Sequence, residues 1–102
     1  MTDIAAALVA IPSVNPDGGD PGTPHTGEAA CAEWVAGFLR DCGAEVSLEE
    51  VLPGRPNVVG RFPAAREGLP RILFAPHLDT VGVAGMTIDP FAAEVRDGRL
   101  HG

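Results

Sequence analysis

Arg71-Ile72-Leu73-Phe74-Ala75-Pro76-His77-Leu78-Asp79-Thr80-Val81 is the stretch on which the reading of the whole chain turns. Its first five residues form a compact apolar run, too short for a good helix and apolar on both faces, which predicts a central strand buried between two layers. After Pro76 an imidazole and a carboxylate follow, two residues apart. Ligands of open α/β sheets gather at the carboxyl ends of strands, which makes His77 and Asp79 the candidate site residues. Extended backbone points residues i and i+2 to one side. His77 can therefore offer one ring nitrogen to a metal while Asp79 holds the other N–H, fixing the tautomer. On these residues alone His-x-Asp is a weak pattern. Asp79 can equally start a turn, with His77 a polar strand end or a histidine satisfied by a backbone carbonyl. The uncharged, Gly-rich stretch from Val81 to Gly85 that follows suits the approach of a substrate.

Working outward, the pattern alternates helices with strands and predicts an α/β fold. Asp3 is read as the cap of a short helix over Ile4 to Ile11, ended by Pro12. Gly, Pro and Asx residues from Ser13 to Thr26 forbid regular structure. Thr26 is read as the N-cap of a longer helix, along which Cys31, Trp34, Val35, Phe38, Leu39 and Cys42 recur at helical spacing down to a C′ glycine, Gly43. That stripe is core packing rather than a cofactor face. Glu45 to Val51 and Asn57 to Phe62 read as strands joined by a turn at Pro53 to Pro56, and Ala92 to Arg96, Asp97-Gly98 and Arg99 to His101 read as a hairpin on an Asp-Gly turn. Its return strand is only just begun where the sequence stops, which is read as truncation.

Composition narrows the partners. The 102 residues carry 14 acidic against 7 basic side chains, a net charge of -7. With no Lys/Arg cluster, neither a phosphate backbone nor an anionic membrane face is an expected partner. The apolar runs fall well short of the roughly 20 residues of a spanning helix, and the start lacks the features of a secretory signal or transit peptide. A cytoplasmic location is the expectation. Eleven residues separate Cys31 and Cys42, about 16 Å along a helix. They cannot form a disulfide there and are read as buried free thiols.

Several ordered pieces resemble the dinuclear zinc exopeptidases and deacylases, the family of acetylornithine deacetylase, succinyl-diaminopimelate desuccinylase, aminoacylase and the glutamate carboxypeptidases. The pieces are Leu8-Val9-Ala10-Ile11-Pro12-Ser13-Val14-Asn15-Pro16, Pro56-Asn57-Val58-Val59-Gly60, Phe74 to Val81, Asp89-Pro90-Phe91, and Asp97 to Gly102. The resemblance implies a three-layer catalytic domain, a mixed sheet flanked by helices, of which residues 1–102 are the amino-terminal portion. It implies a metal-dependent hydrolase of amide bonds, with zinc as the expected metal and cobalt or manganese as substitutes. The substrate would be a small N-acyl amino acid or short peptide. His77 matches the first metal-binding histidine, and Asp79 matches the catalytic aspartate that orients it. The Asp79–Thr80 peptide matches one that tends to be cis in the family. Gly102 looks like the first glycine of the Gly-Arg-Gly-x-x-Asp-x-Lys-Gly stretch that holds the metal-bridging aspartate. The general-base glutamate, the other ligands and the inserted dimerisation domain, through which the whole protein could be a homodimer, match nothing in this chain.

Two other readings compete. In a mononuclear iron oxygenase, His77, Asp79 and His101 would form a facial triad, although such sites sit in double-sheet barrels. A non-enzymatic module would use the acidic surface for protein contacts. His25 reads as a solvated loop residue, His101 as a packing residue of the return strand, and Glu49 and Glu50 as a solvated strand edge. A catalytic zinc usually takes three protein ligands, and the family pattern supplies one from this chain. Elemental analysis of the purified chain is therefore expected to return far less than one equivalent of zinc, and the chain alone to leave amides intact. Tight stoichiometric zinc would overturn this expectation.

Overall fold

Two helices and two antiparallel hairpins make up the regular structure of the computed structural model, which describes residues 2–17 and 25–102. The order is α1 (Thr2–Val9), α2 (Ala29–Asp41), β1 (Glu45–Leu52), β2 (Arg55–Arg61), β3 (Glu94–Arg96) and β4 (Arg99–His101). Mixed α/β character is thus as expected, whereas the sheets are two separate hairpins.

Ala5, Ala6 and Ala7 give α1 its propensity. Asp3 lies within its first turn rather than ahead of it, where its charge still complements the helix dipole. The helix ends two residues before the expected Ile11, because Pro12 drives the residue before it out of helical geometry. Ala10 N–H to Ala6 O at 3.0 Å and Ile11 N–H to Leu8 O at 3.2 Å complete that end.

The start of α2 also differs from expectation. Glu28, not Thr26, is the cap residue, and its side chain makes no capping hydrogen bond. Thr26 is instead drawn into a bridge with Val14, and Gly27, at φ +103°, turns the chain from that bridge into the helix. At the other end the expected glycine is in place. Gly43 has φ +88°, its N–H reaches Arg40 O at 2.8 Å, and Ala44 N–H reaches Leu39 O at 3.0 Å. This is the Schellman pair that satisfies the last carbonyls of a helix. Of the apolar stripe, Cys31 is buried along with Ala32 and Ala36, while Trp34 stacks on Phe38 with centroids 5.6 Å apart. Both cysteines are free, but Cys42, expected to be buried, is exposed because it is the C-cap residue, where the chain leaves the helix for the first strand. Burial raises the Cys31 thiol, and a hydrogen bond from Ser13 partly offsets this.

β1 and β2 form one hairpin, from Glu45 opposite Arg61 to Leu52 opposite Arg55, with a register shift between Glu50 and Leu52. Gly54, at φ +72°, makes the turn, and its N–H is tied to Glu50 Oε1 at 2.8 Å. The hairpin packs on α2. At Gly60 the sheet comes so close that a Cβ would lie 2.9 Å from Leu39 Cδ1. In the second hairpin Asp97 and Gly98 both have positive φ, 51° and 74°, as a two-residue type I′ turn requires. β3 and β4 pair as the Asp-Gly signal predicts.

The largest departure concerns Arg71 to Ala75, expected to form a buried central strand. No strand forms there, and Ile72, Leu73 and Phe74 are 78%, 87% and 84% exposed. A central strand needs a ladder on each edge, and no described strand pairs with these residues.

The most buried apolar side chains are Val14, Cys31, Ala32 and Ala36, with polar Ser13 and Glu28 beside them. Val14, 1% exposed, is the largest fully buried side chain. Removing its two γ-methyls from a fully buried position forfeits their packing and leaves a cavity. Val14→Ala is expected to cost about 1–3 kcal/mol, read as a lower denaturation midpoint at unchanged slope.

Candidate functional site

The site is assembled around Ser13–Asn15. On one edge Val14 N–H donates to His25 O at 3.0 Å, and Gly27 N–H donates to Val14 O at 2.9 Å. On the other, Thr80 N–H donates to Ser13 O and Asn15 N–H donates to Thr80 O, both at 2.9 Å. Val14 is thus the shared partner of two parallel bridges, to Thr26 and to Thr80. All described peptides are trans, including Asp79–Thr80, against the cis form that the resemblance suggested. In the trans form both polar groups of Thr80 meet the 13–15 segment.

This stitching brings His77, Asp79 and Asn15 together. His77 Nδ1 lies 2.8 Å from the backbone O of Asp79 and 3.3 Å from its Oδ1. A carbonyl can only accept a hydrogen bond, as can a carboxylate, so Nδ1 carries a proton, and in the neutral imidazole the lone pair then lies on Nε2. The imidazole is 83% exposed. On its other side Asp79 Oδ2 accepts from Asn15 Nδ2 at 2.8 Å. The Asp79 carboxyl is held below its ordinary value, chiefly by that bond, with smaller help from its own N–H and from His77, against the opposing effect of desolvation. A cleft of about 200 Å³ is lined by Asn15, His77, Asp79, Thr80 and Val81.

A larger cleft, about 770 Å³, opens between the β1–β2 turn and the start of α2. Its polar wall is an ion cluster. Arg55 Nη2 and Nε reach the Glu28 carboxylate at 2.6–3.1 Å, and Nη1 reaches Asp17 Oδ2 at 2.7 Å. Glu28 is only 6% exposed, so this fork neutralises a nearly buried charge at the mouth of a helix. Glu28 first, then Asp17, raises the Arg55 guanidinium further above its ordinary value.

The other singled-out residues lie elsewhere. His25, expected to be solvated, is half-buried, with its ring 4.8 Å from that of Phe91. His101 pairs with Glu94 in the second hairpin, and no group of three His, Cys, Asp or Glu side chains that could hold a metal occurs among the described residues. An iron triad of His77, Asp79 and His101 is therefore not assembled. Glu49 and Glu50 are exposed, as expected. Sequence reading missed Asn15 and Arg55 as site residues. For Asn15 a signal was present, since Asn-Pro-Asp is an Asx-turn sequence, and Asp17 N–H indeed donates to Asn15 Oδ1 at 2.8 Å. Among the described residues no helix is long and apolar enough to cross a membrane.

Comparison with known proteins places relatives beside this geometry. Over 103 residues the chain is 36% identical to a succinyl-diaminopimelate desuccinylase from Parvibaculum lavamentivorans, covering 98% of this chain and 24% of that protein. A second protein of that name, from Beijerinckia indica, is 38% identical over 104 residues, with the same coverage. An acetylornithine deacetylase from Vibrio campbellii is 33% identical over 78 residues, 74% of this chain and 20% of that protein. The chain spans about a quarter of the length of the desuccinylases it matches. No family model matches it, and no solved structure matches at significance. The chain is thus a homologue, over about a quarter of their length, of proteins named succinyl-diaminopimelate desuccinylase and acetylornithine deacetylase.

Because the folded state depresses the Asp79 carboxyl, its pairing contributes stability that is fully present above the usual value of 3.8 and is lost as pH falls through the lower folded one. The gap in denaturation midpoint between wild type and Asp79→Ala is therefore expected to be constant near neutrality and to narrow on acidification below that range. A gap that widens in acid would contradict this assignment.

Proposed function

Starting from that kinship with desuccinylases and deacetylases, we propose that these residues are the amino-terminal part of the catalytic domain of a metal-dependent amide hydrolase acting on a small N-acyl amino acid or short peptide. The observation that carries this reading is the geometry of the His77 ring: Nδ1–H is engaged by Asp79 on an exposed imidazole beside a cleft, so that the neutral ring would offer its lone pair at Nε2. A metal-ligating histidine shows this arrangement, with an outer carboxylate or carbonyl fixing the tautomer and raising the basicity of the free nitrogen. The donor set fits one ligand position and its orienting partner, with the remaining ligands supplied from outside these 102 residues.

His77 would bind through Nε2, and Asp79 would hold the ring and stabilise positive charge on it. Two divalent metals, zinc by the resemblance or cobalt or manganese as substitutes, would supply an acidified water and polarise the amide carbonyl when bound. The uncharged Val81–Gly85 loop beside the cleft leaves the acyl group room without an opposing charge. Arg71 to Ala75 would be a central strand of a three-layer domain, its exposed apolar faces covered by the rest of that domain. A homodimer is read for the whole protein on the resemblance alone, and a cytoplasmic location is kept as the expectation drawn from the sequence.

The test is hydrolysis of N-succinyl and N-acetyl amino acids by the zinc-loaded whole protein. His77→Ala is expected to abolish turnover and to lower metal occupancy. Asp79→Asn, which keeps the shape but weakens the grip on Nδ1, should lower activity or metal affinity about 10–100-fold. Turnover that survives His77→Ala and complete removal of metal by a chelator would refute the proposal.

A further inference from the structure

Asn15 lies 64 residues from Asp79 in sequence, and both ends of its side-chain amide are committed. Its Oδ1 accepts Asp17 N–H at 2.8 Å and its Nδ2 donates to Asp79 Oδ2 at 2.8 Å. The two partners fix which end is oxygen, since an N–H can only donate and a carboxylate can only accept. Asp17 is in turn gripped by Arg55 Nη1 at 2.7 Å, and Arg55 is anchored by its fork to Glu28 at the start of α2. A continuous run of polar contacts therefore passes from the β1–β2 turn through the 15–17 loop to the carboxylate that faces His77.

We propose that Asn15 is a positioning residue: by holding Asp79 Oδ2 it keeps Oδ1 turned toward His77 Nδ1, and Arg55, through Asp17, keeps Asn15 in place. The inference rests on the functional reading above only in what the histidine is for; the contact itself is a property of the chain. An aspartate with one oxygen free would sample several χ1 wells in an exposed cleft. Oδ1, 3.3 Å from Nδ1, would then be close to the ring only part of the time. The amide donor removes that freedom without adding charge. A Lys or Arg in its place would compete with the imidazole for the carboxylate.

Asn15→Asp is the discriminating variant, because its carboxylate can still accept Asp17 N–H while offering Asp79 a repulsive oxygen in place of a donor. Side-chain three-bond couplings to Asp79 Cγ, read by NMR at neutral pH without metal, are expected to report one χ1 rotamer in the wild type. In Asn15→Asp and Asn15→Ala they should average over wells, with the His77 ring nitrogens shifted and the backbone amides of Val14 and Thr80 unmoved. Arg55→Lys should give a partial version of the same averaging. A single Asp79 rotamer retained in both Asn15 variants would overturn the proposal, as would averaging that appears only together with displaced Val14 and Thr80 amides. Since the measurement uses metal-free protein, a negative result leaves the hydrolase reading standing. Loss of that reading in the turnover assay leaves this contact untouched.

Discussion

Segment 13–15 is a piece of chain with no helix or strand of its own that is hydrogen-bonded on both edges, and the geometry of everything near His77 depends on it. Four backbone bonds, each worth about 1 kcal/mol net, tie it to His25–Gly27 on one side and to Thr80 on the other. Between them Val14 is sealed. The same three residues thereby fix where α2 begins and where the His77–Asp79 pair sits. A small core of one valine, one cysteine and two alanines is enough for this because the backbone, not side-chain bulk, carries the connection.

Local chemistry was legible in the sequence wherever a single turn or cap decides the outcome. The Asp97-Gly98 turn, the Gly43 helix stop and the two strands on either side of Gly54 all came from residues whose conformational preferences are satisfied within a few positions. Where a residue's partner is far away, the reading was poorer. Thr26 has the chemistry of a cap, but Val14 claims its backbone for a bridge, leaving the helix to start two residues later. Asn15 looked like an ordinary loop residue because its use depends on Asp79, and nothing in the spacing announces that pairing. The proximity of His77 and Asp79 was legible, since two residues apart in extended chain is a local relation.

Arg71 to Ala75 failed for the opposite reason. Its composition describes a strand with both faces and both edges covered, a property of neighbours rather than of the five residues themselves. Among the described residues the apolar pattern has no strand to pair with, and the chain around His77 is held by the Thr80 bridge and the Asn15–Asp79 bond rather than by a ladder leading up to it. The hydrogen bonds that hold the site consequently come from its Asn15 side rather than from a strand beside it. The electrostatics follow the same division: the acidic chain spends Arg55 on Glu28 and Asp17, and leaves the imidazole as the basic group nearest Asp79.

The bare Ile72-Leu73-Phe74 strip has a meaning for solubility. Three consecutive large apolar residues with unladdered amides are a template on which identical chains can stack edge to edge. The run is bracketed by Arg71, whose charge repels its own copy, and by Pro76, which has no N–H to give. Those two residues act as gatekeepers of the segment. They narrow the window open to cross-strand pairing to the few exposed residues between them.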